Sequence, residues 1–96
     1  MSGGHSFAVR STSHEQMVNI TGEIQERVPE DFTGVCLVFC LHTTAGVTIN
    51  ENADPDVCHD ILTGLREAVP WEGSYYRHME GNSGAHIKSS LIGPDQ

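Results

Sequence analysis

A chain of 96 residues, 38% of them hydrophobic and 19% charged, with a mean hydropathy of −0.27, has the size of one small globular domain, which excludes a multidomain enzyme. Five Lys and Arg stand against thirteen Asp and Glu, a formal net charge of −8. That balance argues against a nucleic-acid partner, because a phosphate-backbone footprint needs clustered positive charge, and it favours cations as ligands.

No basic run followed by an apolar stretch opens the chain, and the longest apolar run, Val35 to Leu41, is too short to cross a bilayer. The expectation is a cytoplasmic protein with no membrane partner. Cys36, Cys40 and Cys58 are odd in number and lack framework spacing, so they read as buried thiols in a reducing compartment.

In chain order, Phe7 and Val9 alternate with polar neighbours and suggest a first strand; Met17, Val18 and Ile20 suggest a second. Thr21 is the expected N-cap of a short helix, with Glu23 in its first turn and Ile20, Ile24 and Val28 recurring up to Pro29. Val35 to Leu41 is continuously apolar, the pattern of a strand covered on both faces. From Val47 to Asn52 the residues alternate, Val47 and Ile49 inward, Thr48, Asn50 and Asn52 outward, as in a half-exposed strand. Asp54 as cap and Pro55 at the first helical position then open a helix with the apolar stripe Val57, Ile61, Leu62, Leu65 and Val69, ending before Pro70. Trp71 to Gln96 reads as two extended segments around a reversal at Glu80-Gly81-Asn82-Ser83-Gly84.

Six histidines in so acidic a chain point to metal chemistry. On an antiparallel hairpin centred at Asn82, His78 and His86 would lie opposite one another with Cβ atoms about 5 Å apart, close enough to share one ion. His42, at the end of the apolar run, is the natural third ligand, and three imidazoles plus a water make an open, catalytic type of site. The competing reading is that these are ordinary polar residues at strand ends, and residue pattern alone leaves the two evenly matched. Glu80 is within reach as an acid/base group. Arg77 adjoins His78, and Lys88 lies two positions beyond His86 on the same strand face; both would offset the charge of a phosphorylated ligand. Thr43 and Thr44 add neutral donors.

Other patterns fail. Asp54-Pro55-Asp56 with Asp60 lacks the glycine and closing glutamate of a calcium-binding loop. Gly81-Asn82-Ser83-Gly84-Ala85 is one residue away from a nucleophile elbow but no helical run is expected after it, which argues against Ser83 as a hydrolase nucleophile.

Two blocks carry a family resemblance. The run from His42-Thr43-Thr44-Ala45-Gly46 through Val47-Thr48-Ile49-Asn50-Glu51-Asn52 to Asp54-Pro55-Asp56-Val57 closely resembles one signature of the YjbQ-like family. His78, Glu80-Gly81-Asn82, Ala85-His86 and Ser89-Ser90-Leu91-Ile92-Gly93 resemble the other. The resemblance implies an α+β protein, a two-layered β-sandwich with flanking helices, forming a homotrimer from a single domain over residues 1–96. It implies a divalent metal, commonly zinc, at His42, His78 and His86. The activity it implies is secondary thiamine-phosphate synthase, joining an aminopyrimidine-methyl pyrophosphate to a thiazole phosphate. In that scheme Glu80 and Lys88 serve catalysis, while Arg77, Thr43, Thr44, Asn50, Asn52 and Asn82 bind substrate, the two asparagines Asn50 and Asn52 reading the heterocycle. Family members continue through further strands with a Gly-Thr-Trp-Gln and a closing Asp-Gly-Pro-Arg segment, neither of which is present here, so the chain is C-terminally truncated relative to the family. A metal-dependent phosphate-ester hydrolase and a non-catalytic trimeric metal- or ligand-binding protein are the alternatives.

Overall fold

The computed structural model describes residues 4–96, in two compact units, Met1–Val35 and Cys36–Gln96. Among its described residues the first unit holds one helix, α1 (Thr21–Arg27). Thr21 is the first residue of the helix and not the expected cap; Ile20 holds the cap position, and Asn19 Oδ1, one residue further back, accepts from both Thr21 N (3.0 Å) and Thr21 Oγ1 (2.7 Å). Arg27 closes the helix from its last turn. One of its guanidinium nitrogens reaches the Glu23 carboxylate at 2.9 Å and the Glu23 carbonyl at 2.8 Å, while the guanidinium lies 4.6 Å from the centre of the Phe7 ring. Phe7 is therefore held as the apolar underside of an Arg side chain rather than as part of a strand.

The second unit contains α2 (Pro55–Ala68) and α3 (Ser83–Ile92). Helix α2 begins where its sequence says: Asp54 Oδ1 accepts from Asp56 N at 2.9 Å, and Pro55 occupies a position whose missing N–H is no loss. Val57, Ile61, Leu62 and Leu65 are half-buried along one face, and Val69, just past the helix, is buried at 7% exposure. Pro70 then prevents continuation.

Helix α3 stands where two extended segments were expected. Its first turn seats itself on the backbone after α2: a Cβ at Gly84 would come within 2.8 Å of Pro70 O and 3.2 Å of Trp71 Cα, so only glycine permits the approach. At the other end Gly93, with φ of 95°, stops the helix, and its N–H returns to Ser89 O at 2.9 Å. The loop His42 to Val47 is fastened along the second half of α3. Ser89 Oγ donates to Ala45 O at 2.7 Å, Val47 N donates to Gly93 O at 3.0 Å, and a Cβ on Gly46 would sit 2.8 Å from Gly93 O.

The expected two-layered β-sandwich is not what these residues form. Among the described residues there are three helices and no strand ladder, only an isolated antiparallel bridge between Phe39 and Asp95. The four strand expectations, at Phe7 to Val9, Met17 to Ile20, Val35 to Leu41 and Val47 to Asn52, are corrected with it. A strand is a pairwise object, and apolar or alternating sequence supplies its side chains without supplying a partner backbone. Val38 and Cys40 find theirs in Gln96 and Pro94: Val38 N donates to Gln96 O, Gln96 N to Val38 O, and Cys40 N to Pro94 O. Leu37 at 67%, Phe39 at 53% and Leu41 at 87% stay exposed, while Val38 and Cys40 are half-buried. The cysteines follow the same pattern, Cys36 exposed, Cys40 and Cys58 half-buried, against the expectation of buried thiols.

Candidate functional site

The chain between α2 and α3 reverses at His78 to Gly81. Gly81 N donates to His78 O at 3.2 Å, and Gly81 adopts φ of 75°, a conformation that suits glycine. Two residues later α3 begins, and its second turn carries His86 back over His78. The two imidazoles meet edge to face, centroids 5.2 Å apart and planes at 88°. Their proximity matches the expectation from spacing, and the cause differs: a turn followed by a helix, not a hairpin.

The pair borders an open cavity of about 510 Å³. From the loop come Tyr75, Tyr76 and Arg77 with His78; α3 adds Ser83 and Ile87 with His86. Arg77 is exposed and brings a guanidinium to this wall. Glu80 Oε2 lies 3.8 Å from His78 Nε2, close enough for an ion pair when the ring is protonated and too far for a hydrogen bond.

The remaining expected site residues are placed elsewhere. Lys88 follows His86 on a helix, not a strand, and two helical positions rotate it by about 200°, so it does not share the His86 face. Asn50 and Asn52 are exposed in the loop before α2, where Asn50 Oδ1 accepts from Glu51 N at 2.8 Å. Thr43 is exposed. Asn82 stands at the N-cap position of α3 without capping it, and its Oδ1 is buried with no hydrogen-bond partner. Contrary to expectation a helix does follow Ser83, which sits at its first position, on the cavity wall; the one-residue departure from a nucleophile elbow remains.

His42 belongs to the loop fastened on α3, and its ring is committed locally. Thr44 N donates to His42 Nδ1 at 3.1 Å, and the Thr44 hydroxyl lies 2.8 Å from the same nitrogen. A backbone N–H can only donate, so Nδ1 accepts and the proton of the neutral ring sits on Nε2. That is the reverse of the usual ligating imidazole, which donates through one nitrogen and binds metal with the other. Among the described residues no group of three or more His, Cys, Asp or Glu is placed to hold a metal ion. The structure thus brings His78 and His86 together and does not add His42 to them.

Two further residues that sequence reasoning passed over are the adjacent aromatics of this wall. Tyr75 and Tyr76 stand edge to face with centroids 4.6 Å apart, and the Tyr76 hydroxyl donates to Pro70 O at 2.7 Å. Hydrogen bonding with the Tyr75 side chain, reinforced by partial desolvation, raises the pKa of the Tyr76 phenol above its ordinary value. Consecutive aromatics after a glycine in a turn were the signal available for them. No helix of the described residues is long and apolar enough to cross a membrane.

Residues 5–96 match the family model described as UPF0047 protein YjbQ-like. The chain is 48% identical over 93 residues to UPF0047 protein YugU of Bacillus subtilis, covering 95% of this chain and 70% of that protein. Against UPF0047 protein MJ1081 of Methanocaldococcus jannaschii the identity is 44% over 92 residues, 94% of this chain and 66% of the relative. Among solved structures, an uncharacterized conserved protein of the yjbq/upf0047 family from Clostridium acetobutylicum superposes with a TM-score of 0.80 at 49% identity, over 92% of this chain and 69% of that one. A conserved hypothetical protein from Thermus thermophilus superposes at 0.82 with 42% identity, over 88% and 67% of the two chains. The chain thus spans about two thirds of the length of these relatives.

Proposed function

Because the chain belongs to the YjbQ-like UPF0047 family, we propose that the cavity beside His78 and His86 receives a phosphorylated small molecule and that the protein works as a thiamine-phosphate synthase-like enzyme. The reaction joins an aminopyrimidine-methyl pyrophosphate to a thiazole phosphate: a C–N bond forms at the pyrimidine methylene carbon, and pyrophosphate departs with the electrons of the broken C–O bond. What such a site must do is offset the charge gathering on the leaving group and hold the two rings in line.

The observation that supports this reading is the convergence of Arg77, His78 and His86 on one cavity. In a chain of net charge −8, an anion binds only where local donors outweigh the global field. Arg77 supplies a planar fork suited to phosphate oxygens. A divalent cation, zinc by the borderline character of imidazole, would be held by His78 and His86 and would polarise a phosphate oxygen. Glu80, 3.8 Å from His78, is the group that orients that ring or transfers a proton. Assembly as a homotrimer belongs to the same proposal, and the exposure of Leu37, Leu41 and Ile49, 81% for the last, supports it because an oligomer covers such side chains.

Pyrophosphate release should require both substrates and fall by at least about tenfold in Arg77→Ala and His86→Ala, taking a charge-assisted contact at 1.5–3 kcal/mol. Phosphate release from a single ester would overturn the synthase in favour of a hydrolase, and absence of turnover with ligand still bound would leave a binding protein.

A further inference from the structure

The synthase reading above gives the phosphate a place and leaves the heterocycle without one, since Asn50 and Asn52 are not on the cavity wall. Tyr75 meets that need. The residue is 68% exposed, yet its ring is not loose. A Cβ on Gly73 would lie 3.1 Å from Tyr75 Cε1, 3.2 Å from Tyr75 Cζ and 3.3 Å from Tyr76 Cε2, so both rings rest against the bare backbone of that glycine. Tyr76 N donates to Gly73 O at 3.0 Å, closing the turn, and the Tyr76 hydroxyl is tied to Pro70 O at 2.7 Å. Tyr76, pinned at both ends, stands edge-on to Tyr75 at 4.6 Å between centroids. Tyr75 is therefore backed by Gly73, flanked by Tyr76 and open towards the cavity that it lines.

We infer that Tyr75 is a stacking platform for a flat heteroaromatic ring, placed so that a ligand lying on it extends an anionic group towards Arg77, two residues along the same wall. The inference rests on the proposed function and adds the residue that selects an aromatic ligand over a bare phosphate. Stacking on an aromatic side chain is tolerant of ring identity and strong enough to measure, its removal costing roughly 5- to 150-fold in affinity. Tyr76 and Gly73 are positioning residues here: they fix the platform and make no claim on the ligand.

Calorimetric titration of the full chain with two probes, an aminopyrimidine-methyl monophosphate and inorganic pyrophosphate, tests it. Tyr75→Leu should weaken the pyrimidine probe by roughly 5- to 150-fold and leave pyrophosphate affinity as it was, whereas Tyr75→Phe, which keeps the ring face, should retain both. The bound pyrimidine protons should shift upfield under the Tyr75 ring current and lose that shift in Tyr75→Leu, a signature that a merely structural residue would not give. Gly73→Val, which drives a side chain into both rings, should mimic Tyr75→Leu towards the pyrimidine while sparing pyrophosphate. If pyrophosphate binds and the pyrimidine probe binds no better in the parent than in Tyr75→Leu, the platform is overturned and the phosphate site stands. If neither probe binds the parent chain, the phosphate site and the platform fall together.

Discussion

Ser89 Oγ donates a 2.7 Å hydrogen bond to the carbonyl of Ala45, across 44 residues of sequence. This contact fastens the loop that carries His42 to the helix that carries His86, and Gly46 lets the two backbones close up beside it. Ser89→Ala should lower stability by about 0.5–1.5 kcal/mol, the usual net worth of such a bond. Gly46→Ala should cost more, about 1–3 kcal/mol, because its Cβ would lie 2.8 Å from Gly93 O and 2.9 Å from Ile92 Cγ2, and a backbone oxygen cannot step aside. Urea denaturation of both variants checks the order, and faster amide exchange at residues 42–47 should accompany each.

Asp54→Ala removes the side chain that accepts from Asp56 N at 2.9 Å and should cost about 1 kcal/mol, with Asp54→Asn nearly neutral. Equal losses in the two variants would mean that the charge, acting on the helix dipole, matters more than the hydrogen bond.

The pH dependence of Tyr76 has a definite sign. Its pKa is raised in the folded chain from an ordinary value of 10.0, first by hydrogen bonding with Tyr75 and then by desolvation. The protonated phenol is therefore favoured by folding, and its contribution is complete below pH 10.0 and lost as pH rises through the raised value. The neutral hydroxyl is also the donor to Pro70. Denaturation curves should show the native chain more stable than Tyr76→Phe at pH 8, with the gap narrowing at alkaline pH.

Asn82 offers a separation of fold from function. Its buried Oδ1 has no partner, and an unsatisfied buried acceptor costs about 1–3 kcal/mol. Asn82→Ala should leave the melting transition unchanged or raise it. Asn82 is not on the cavity wall, so the same substitution should leave the affinity for the aminopyrimidine probe as it was. A variant that is both less stable and unaltered in binding would assign Asn82 to the fold alone.

What could be read from the sequence and what could not divide along local and non-local lines. Helix α2 was legible to its ends, since Asp54, Pro55 and the stripe from Val57 to Val69 are signals contained in the helix and the residues that flank it. For α1 the helix was legible and its cap was not, because Asn19 does from two residues upstream what Thr21 does by convention. Helix α3 hid behind Gly81, Ser83 and Gly84, residues that elsewhere mark a turn; its stability is tertiary, resting on the close seat of Gly84 against Pro70 and the ties at Ser89 and Gly93. The strand expectations failed for a related reason: Val35 to Leu41 has every side chain a buried strand needs, and pairing is decided by which backbone arrives beside it. In the site, the meeting of His78 and His86 was legible from spacing around Asn82, although a helix brings it about. The commitment of the His42 ring to Thr44 and the anchoring of Tyr75 over Gly73 were not, being matters of rotamer and contact rather than pattern.

Gly93 gathers more obligations than its lack of a side chain suggests. It ends α3, receives the N–H of Val47, presses against Gly46 and turns the chain so that Pro94 to Gln96 can run beside Val38 and Cys40. Damage there would not stay where it began: helix, anchored loop and terminal pairing would come apart as one event, so this residue should behave in mutational scans as a keystone of folding cooperativity, intolerant far beyond its bulk.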